Sequence, residues 1–130
     1  MEIDLIKKAN TQYIGKHILY YEKIDSTHKQ AKNLAKQEGE NGTIILAERQ
    51  TAGIGTKGRT WYTGNENIAM SILLYPKCKV EKLEGLTIKI AEIMKDTIWQ
   101  LYQIPLEIKK PNDLLLHGKK ISGILTRKRI

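Results

Sequence analysis

Residues 50–61 read Gln-Thr-Ala-Gly-Ile-Gly-Thr-Lys-Gly-Arg-Thr-Trp, three glycines, two cations and an indole in one short loop. Gly53, Gly55 and Gly58 permit positive φ and close approach of backbone to a ligand. Lys57 and Arg59 supply positive charge for an anion, and Trp61 offers a flat apolar face. Such a loop can close over a phosphorylated ligand; it can equally be a hairpin connection with a solvated basic face. Its spacing is neither G-x-x-x-x-G-K-[ST] nor G-x-G-x-x-G and no helical pattern follows it, so the P-loop and dinucleotide-fold readings fail. Three further polar clusters are Asp25-Ser26-Thr27, Lys109-Lys110-Pro111-Asn112-Asp113 and Lys119-Lys120-Ile121-Ser122-Gly123. Ser26 and Thr27 can hydrogen-bond a small polar ligand or cap a helix. Asn112-Asp113 can orient a nucleotide or its magnesium, or make a plain turn. Lys120 is surface charge unless the face it points to is a pocket. No Ser-His-Asp or paired-carboxylate arrangement emerges, which disfavours hydrolysis.

The elements that must position these clusters follow from periodicity and punctuation. Ile3, Leu5, Ile6 and Ala9 suggest a short amphipathic helix, and 17–22 reads as a strand. Asp25-Ser26-Thr27 then offers N-cap side chains to a helix with Ala31, Leu34 and Ala35 on one face, stopped at Gly39. Residues 43–47 form a strand apolar enough for burial on both faces, and the glycine loop follows directly. Residues 68–75 are another strand, ended by Pro76. Across 80–102 Leu83, Leu86, Ile90, Met94, Ile98 and Leu101 recur at helical steps, predicting one long helix that covers a face of the sheet. Short strands at 106–108, 114–116 and 121–125 are separated by Pro111-Asn112-Asp113 and by a reversal at His117-Gly118. Hairpins mixed with helices predict an α+β fold, and 130 residues predict a single domain.

Bulk properties limit the partners. The chain has 22 Lys and Arg against 14 Asp and Glu, a formal net charge of +8, which favours anionic ligands. The cations are scattered among carboxylates and only Arg127-Lys128-Arg129 forms a tight run, so a solvated basic surface outranks a dedicated nucleic-acid face. A lone Cys78 allows no internal disulfide, and His17, His28 and His117 lack zinc spacing. With no long apolar stretch and no signal-like start, a cytoplasmic protein without a membrane partner is the expectation. The chain ends within a few residues of an apolar strand, which suggests a shortened protein and an open sheet edge suited to homodimer pairing.

In order, Ser26-Thr27, the Gln50 to Trp61 loop, Lys109-x-Pro111-Asn112-Asp113 and the run from Gly118 to Leu125 resemble the catalytic domain of biotin–protein ligases, also called biotin–[acetyl-CoA-carboxylase] ligases. The resemblance spans about Tyr13 to Thr126. It implies the biotin/lipoate protein ligase catalytic fold, a mixed β-sheet flanked by helices and akin to class II synthetases, here one partial catalytic domain over 1–130. It further implies that biotin and ATP, with Mg2+, give biotinyl-5′-AMP, whose biotinyl group passes to a lysine of a biotin carboxyl carrier protein domain. Lys120 then matches the lysine beside the biotin carboxylate and is the first catalytic candidate, with Arg59 second. Ser26, Thr27, Gln50, Gly53, Gly55 and Gly123 match biotin-binding positions. Lys57, Arg59, Trp61, Lys109 and Asn112 match the nucleotide side, with magnesium near Asn112.

The chain departs from that pattern in several places. Gly53-Ile54-Gly55-Thr56 stands where the family usually has Gly-Arg-Gly-Arg, and removing a charge-assisted hydrogen bond from a transition state costs ~2–4 kcal/mol. His28 replaces an Asn and Lys110 a Trp. Nothing corresponds to the winged-helix DNA-binding domain or to the small C-terminal domain. Two alternatives stand beside the ligase: a non-catalytic biotin- or acyl-binding module of the same fold, with lipoate as a related ligand, and a basic nucleic-acid-binding domain.

Overall fold

The computed structural model describes residues 1–64 and 66–128, so Arg129 of the terminal basic run and Ile130 lie outside the described residues. The chain divides into two compact units, Met1–Lys77 and Cys78–Ile130. The first holds α1 (Ile3–Lys7), β1 (Ile18–Ile24), α2 (Thr27–Lys36), β2 (Ile44–Gln50) and β3 (Ala69–Ile72). β2 is central, parallel to β1 and antiparallel to β3, a mixed three-stranded sheet. That position explains its apolar run: Ile45, Leu46 and Ala47 are all buried. Side chains alternate along a strand and register partners share a face. Leu19, Ile45 and Ser71 therefore form one row, and Tyr21, Ala47 and Ala69 the next on the same face. α2 packs against β2 and β3, over a face where Ile45, Ala47 and Ala69 are 5% exposed or less. Full burial of a side chain the size of Ile45 stabilises by ~1.5–3 kcal/mol.

On the other face the Tyr20 hydroxyl donates to Glu48 Oε1 at 2.8 Å. This bond pushes the phenol pKa up to about 12, and holds the Glu48 carboxyl below the usual carboxylate range. The strand expected over 68–75 is shorter, Ala69–Ile72, because its partner β2 begins only at Ile44, opposite Ile72.

The second unit holds α3 (Leu86–Tyr102), β4 (Glu107–Lys109), β5 (Asp113–Leu116) and β6 (Lys119–Gly123), the strands forming an antiparallel sheet in that order. Two sheets thus replace the single one that the long helix was expected to cover. The helix itself is not continuous over 80–102. Val80–Leu83 is a 3-10 turn, and α3 starts after Gly85, whose φ of +79 breaks the helical backbone where the apolar period runs on. α3 packs on β4 and β5 through Ala91, Leu106 and Leu114, joined by Met94, Ile98, Ile108, Leu116 and Ile124. Leu101, expected on this covered face, is 66% exposed. The core is met by the middle of the helix, and its last turn contributes none of these residues.

The β5–β6 hairpin turns through His117 and Gly118, both at positive φ (50° and 78°), as a two-residue hairpin of type I′ requires. Its register carries an irregularity. Leu114 pairs with Ser122 but Leu115 with Lys120, so Ile121 is an extra residue, a β-bulge.

Candidate functional site

In the first unit the ends of β1 and β2 meet the start of α2. Ser26 is the N-cap of α2; its side chain accepts from the Lys29 amide at 3.2 Å, and it is 1% exposed. The cap and ligand readings of Ser26 are therefore not exclusive, but the cap bond is present. Thr27, also buried, has its amide 2.8 Å and its hydroxyl 3.1 Å from Gln50 Oε1. A backbone N–H can only donate, so Gln50 must turn its amide oxygen, not its nitrogen, toward Thr27. Gln50 Nε2 lies 3.3 Å from Thr63 Oγ1, and Thr27 Oγ1 lies 2.8 Å from Ser71 Oγ. Four of these polar side chains, Thr27, Gln50, Thr63 and Ser71, form one connected network, although they are far apart in sequence.

The same corner holds a titratable cap. The Ser26 amide donates to Asp25 Oδ1 at 2.7 Å, and the Lys29 ammonium lies 3.1 Å from Oδ2. In that order they hold the Asp25 carboxyl below the usual carboxylate range. A depressed folded-state pKa gives a contribution that is complete above the unfolded value, about 3.9, and is lost as pH falls through the folded value. Asp25→Asn should thus be less stable than the parent at pH 7, and the two should converge near about pH 2. Urea melts at both pH values check this; a difference that persists in acid would remove the carboxylate from the account.

The glycine loop is a small hairpin. Trp61 donates its amide to the Gly53 carbonyl at 2.8 Å, Ile54 bridges Thr60, and Gly55 donates to the Arg59 carbonyl at 2.7 Å, around a tight turn at Thr56–Gly58. Its base is tied to the end of β1 by Thr51 and Ala52 amides donating to Ile24 and Asp25 carbonyls at 2.9 and 2.7 Å. The freedom to take positive φ is used at one of the three loop glycines. Only Gly58 adopts it, beside Lys57 at φ 56, whereas Gly55 is extended. Gly53 is needed for space instead. A Cβ there would run into the Trp61 carbonyl oxygen and stand 2.8 Å from Gln50 Nε2. At Gly55 the nearest atom to an added Cβ is the Arg59 carbonyl oxygen at 3.5 Å, an ordinary contact. Lys57 and Arg59 are exposed at the hairpin tip, and Trp61 is half-buried at its base.

In the second unit the Lys110–Pro111 peptide is cis, and Asn112 follows in the turn into β5, its carbonyl accepting from the Ile124 amide at 2.9 Å. Lys109 ends β4, exposed. Gly123, opposite Asp113, ends β6. Lys120 Nζ lies 3.0 Å from Asp113 Oδ1, with the two side chains 43% and 18% exposed. Asp113 Oδ1 is itself shielded from solvent, so this ammonium is its counter-charge. The bulge makes the pair possible. In an unbroken register Lys120 would oppose Leu116, on the α3 side; the extra Ile121 moves it opposite Leu115, on the face that Asp113 shares.

The structure therefore gathers Ser26, Thr27, Gln50, Gly53 and Trp61 in the first unit, with Gly55, Lys57 and Arg59 further along the hairpin. Lys109, Asn112, Lys120 and Gly123 belong to the second. Sequence reasoning missed Thr63, Ser71 and the pairing role of Asp113. Asp113 lay within a motif already singled out, whereas nothing local distinguishes Ser71 from any other strand serine.

A parallel β1–α2–β2 unit thus carries hydroxyl and amide groups at its strand ends with a glycine hairpin beside them, and a separate antiparallel hairpin presents a carboxylate-paired lysine. The chain belongs to the Biotin/lipoate A/B protein ligase family, whose model matches residues 20–130. It is 38% identical over 117 residues to the bifunctional ligase/repressor BirA of Bacillus subtilis, covering 89% of this chain and 36% of that protein. It is 35% identical over 106 residues to the biotin–[acetyl-CoA-carboxylase] ligase of Paracoccus denitrificans, covering 79% and 43%. The biotin protein ligase of Leishmania major, solved with biotinyl-5-AMP, superposes with a TM-score of 0.73 at 25% identity, over 84% of this chain and 51% of that one. The chain thus spans less than half the length of the curated relatives it matches. No described helix is long and apolar enough to cross a membrane.

Proposed function

We propose that this chain contributes to ATP-dependent biotin–protein ligation: the biotin carboxylate attacks the α-phosphate of ATP, releasing pyrophosphate, and the biotinyl group of the adenylate then passes to a carrier-protein lysine. The observation that carries the reading is the Thr27–Gln50 pairing, which brings a hydroxyl and a primary amide to one strand end in a family whose relatives are named biotin ligases. A ureido ring has two N–H donors and one carbonyl acceptor and needs such partners when desolvated. Ser26 and the Gly53 backbone stand beside that pair and, with Gly55, complete its biotin side; Gly123 matches a biotin-binding position by resemblance to the family.

Bringing a carboxylate to a phosphate gathers negative charge, so catalysis here is largely charge neutralisation and alignment. Lys120 serves the carboxylate and the developing acyl phosphate, held in direction by Asp113. Lys57 and Arg59 attend the phosphates from the hairpin and Trp61 packs near the nucleotide; Lys109 and Asn112 match nucleotide-side positions by resemblance to the family. The described residues contain no group of three or more His, Cys, Asp or Glu that could hold a metal. Mg2+ fits nonetheless, because it commonly keeps one or two protein oxygens and takes the rest from phosphates and water; Asn112 and Asp113 offer such oxygens. The ion would supply charge neutralisation at the phosphates. In this reading residues 1–130 act as a single catalytic domain, the natural partner is a biotin carboxyl carrier domain, and pairing through an open sheet edge gives a homodimer.

A second reading, a binding module that holds biotin without adenylating it, is favoured by Ile54 and Thr56 in the hairpin, where neither side chain carries charge. Pyrophosphate exchange with biotin, ATP and magnesium, run beside calorimetric titration with biotin, separates them. Biotin-dependent exchange supports the ligase, binding without exchange supports the module, and absence of both refutes the two together.

A further inference from the structure

Ser71 is assigned no role by the resemblance, yet it closes the polar network at the end of the sheet. The hydrogens in that network can be placed by elimination. Gln50 Oε1 accepts from the Thr27 amide, so it is an acceptor, and the Thr27 hydroxyl 3.1 Å away must donate to it. A hydroxyl has one hydrogen, so the Thr27 Oγ1 contact with Ser71 Oγ at 2.8 Å has Ser71 as its donor. The relay runs one way, Ser71 to Thr27 to Gln50. It leaves Thr27 Oγ1 with one acceptor lone pair, and Gln50 Nε2, which has Thr63 Oγ1 at 3.3 Å, with a second N–H.

We infer that Ser71 is a positioning residue that, by donating to Thr27, holds this side chain with its hydrogen on Gln50 Oε1 and its remaining lone pair beside the Gln50 donor, and so tunes the site for a ring presenting an N–H next to a carbonyl. A cyclic urea has that pair; a dithiolane ring has neither group. Without Ser71, the Thr27 side chain regains the freedom that threonine has in a helix, where two χ1 rotamers compete. The identity of the ligand rests on the biotin reading above, whereas the relay stands on the protein alone.

Two measurements test the relay separately from the ligand. In the ligand-free protein, three-bond couplings to the Thr27 methyl should report one χ1 rotamer in the parent and in Ser71→Thr, and averaging in Ser71→Ala; one unchanged rotamer in Ser71→Ala overturns the inference. Calorimetry with biotin should show affinity weakened about five- to tenfold in Ser71→Ala and within about twofold of the parent in Ser71→Thr. In a Thr27→Val background, Ser71→Ala should add nothing, because Ser71 acts through that hydroxyl. Full additivity, or unchanged biotin affinity in Ser71→Ala, also overturns it. A parent that binds no biotin while Thr27 still follows Ser71 refutes the biotin reading and leaves the relay supported.

Discussion

Lys120→Ala is expected to lower biotinyl-adenylate formation by about a hundred- to a thousandfold, the usual consequence of removing one donor aimed at charge developing in a transition state. Biotin affinity should change much less, since the ground-state carboxylate can be solvated. Folding should survive. The Lys120 side chain is 43% exposed, which screens the pair, but the shielded Asp113 Oδ1 loses its counter-charge, so the change costs ~1–3 kcal/mol. Asp113→Asn separates position from charge. It keeps the shape of the carboxylate but releases the ammonium, and the adenylation rate should fall between those of the parent and Lys120→Ala. Rapid-quench measurement of adenylate under single-turnover conditions reads both; a Lys120→Ala rate within about threefold of the parent would end the catalytic assignment.

The second large effect is structural. Gly53→Ala places a methyl group against the Trp61 carbonyl and 2.8 Å from Gln50 Nε2; the Trp61 amide is tied to Gly53 across the hairpin, and Gln50 Nε2 to Thr63. Overpacking of this kind costs ~1–3 kcal/mol, and here it also displaces the amide that the biotin reading uses. A lower melting temperature together with abolished biotin binding is the expected result. Gly55→Ala is the control, because its φ of −104 suits any residue and its nearest neighbour stands at 3.5 Å. It should melt like the parent, so any ligand defect it shows comes from crowding the ligand and not the chain. Equal melting temperatures for all three proteins would show that Gly53 is not held as described.

These two glycines mark how far the sequence could be read. Both were visible as loop glycines, but what each must avoid, a carbonyl eight residues on for Gly53 and nothing close for Gly55, is set by hairpin pairing that residue types do not encode. The local rules worked where the physics is local: Ser26 caps α2, His117-Gly118 turns the last hairpin, and the apolar run at 43–47 became the buried centre of β2. They failed at Gly85, where an unbroken apolar period hid a backbone break, and at Leu101, whose spacing was right but whose turn lies outside the core. Ser71 was out of reach for a different reason. Its partner Thr27 is 44 positions away, and only the register of β3 on β2 brings them together.

The extra residue at Ile121 makes the side of the sheet on which the Lys120 ammonium lies a property of spacing rather than of residue type. Any change of residue type there leaves the lysine where it is, and deleting Ile121 would too, because Lys120 would then follow Ser122 in a regular ladder and still oppose Leu115; drawing Ile121 into the ladder opposite Leu115 would instead send the ammonium to the opposite side of the sheet. Anyone transplanting this lysine into another scaffold, or recombining this segment between relatives, would have to carry Asp113 through Gly123 as one indivisible cassette.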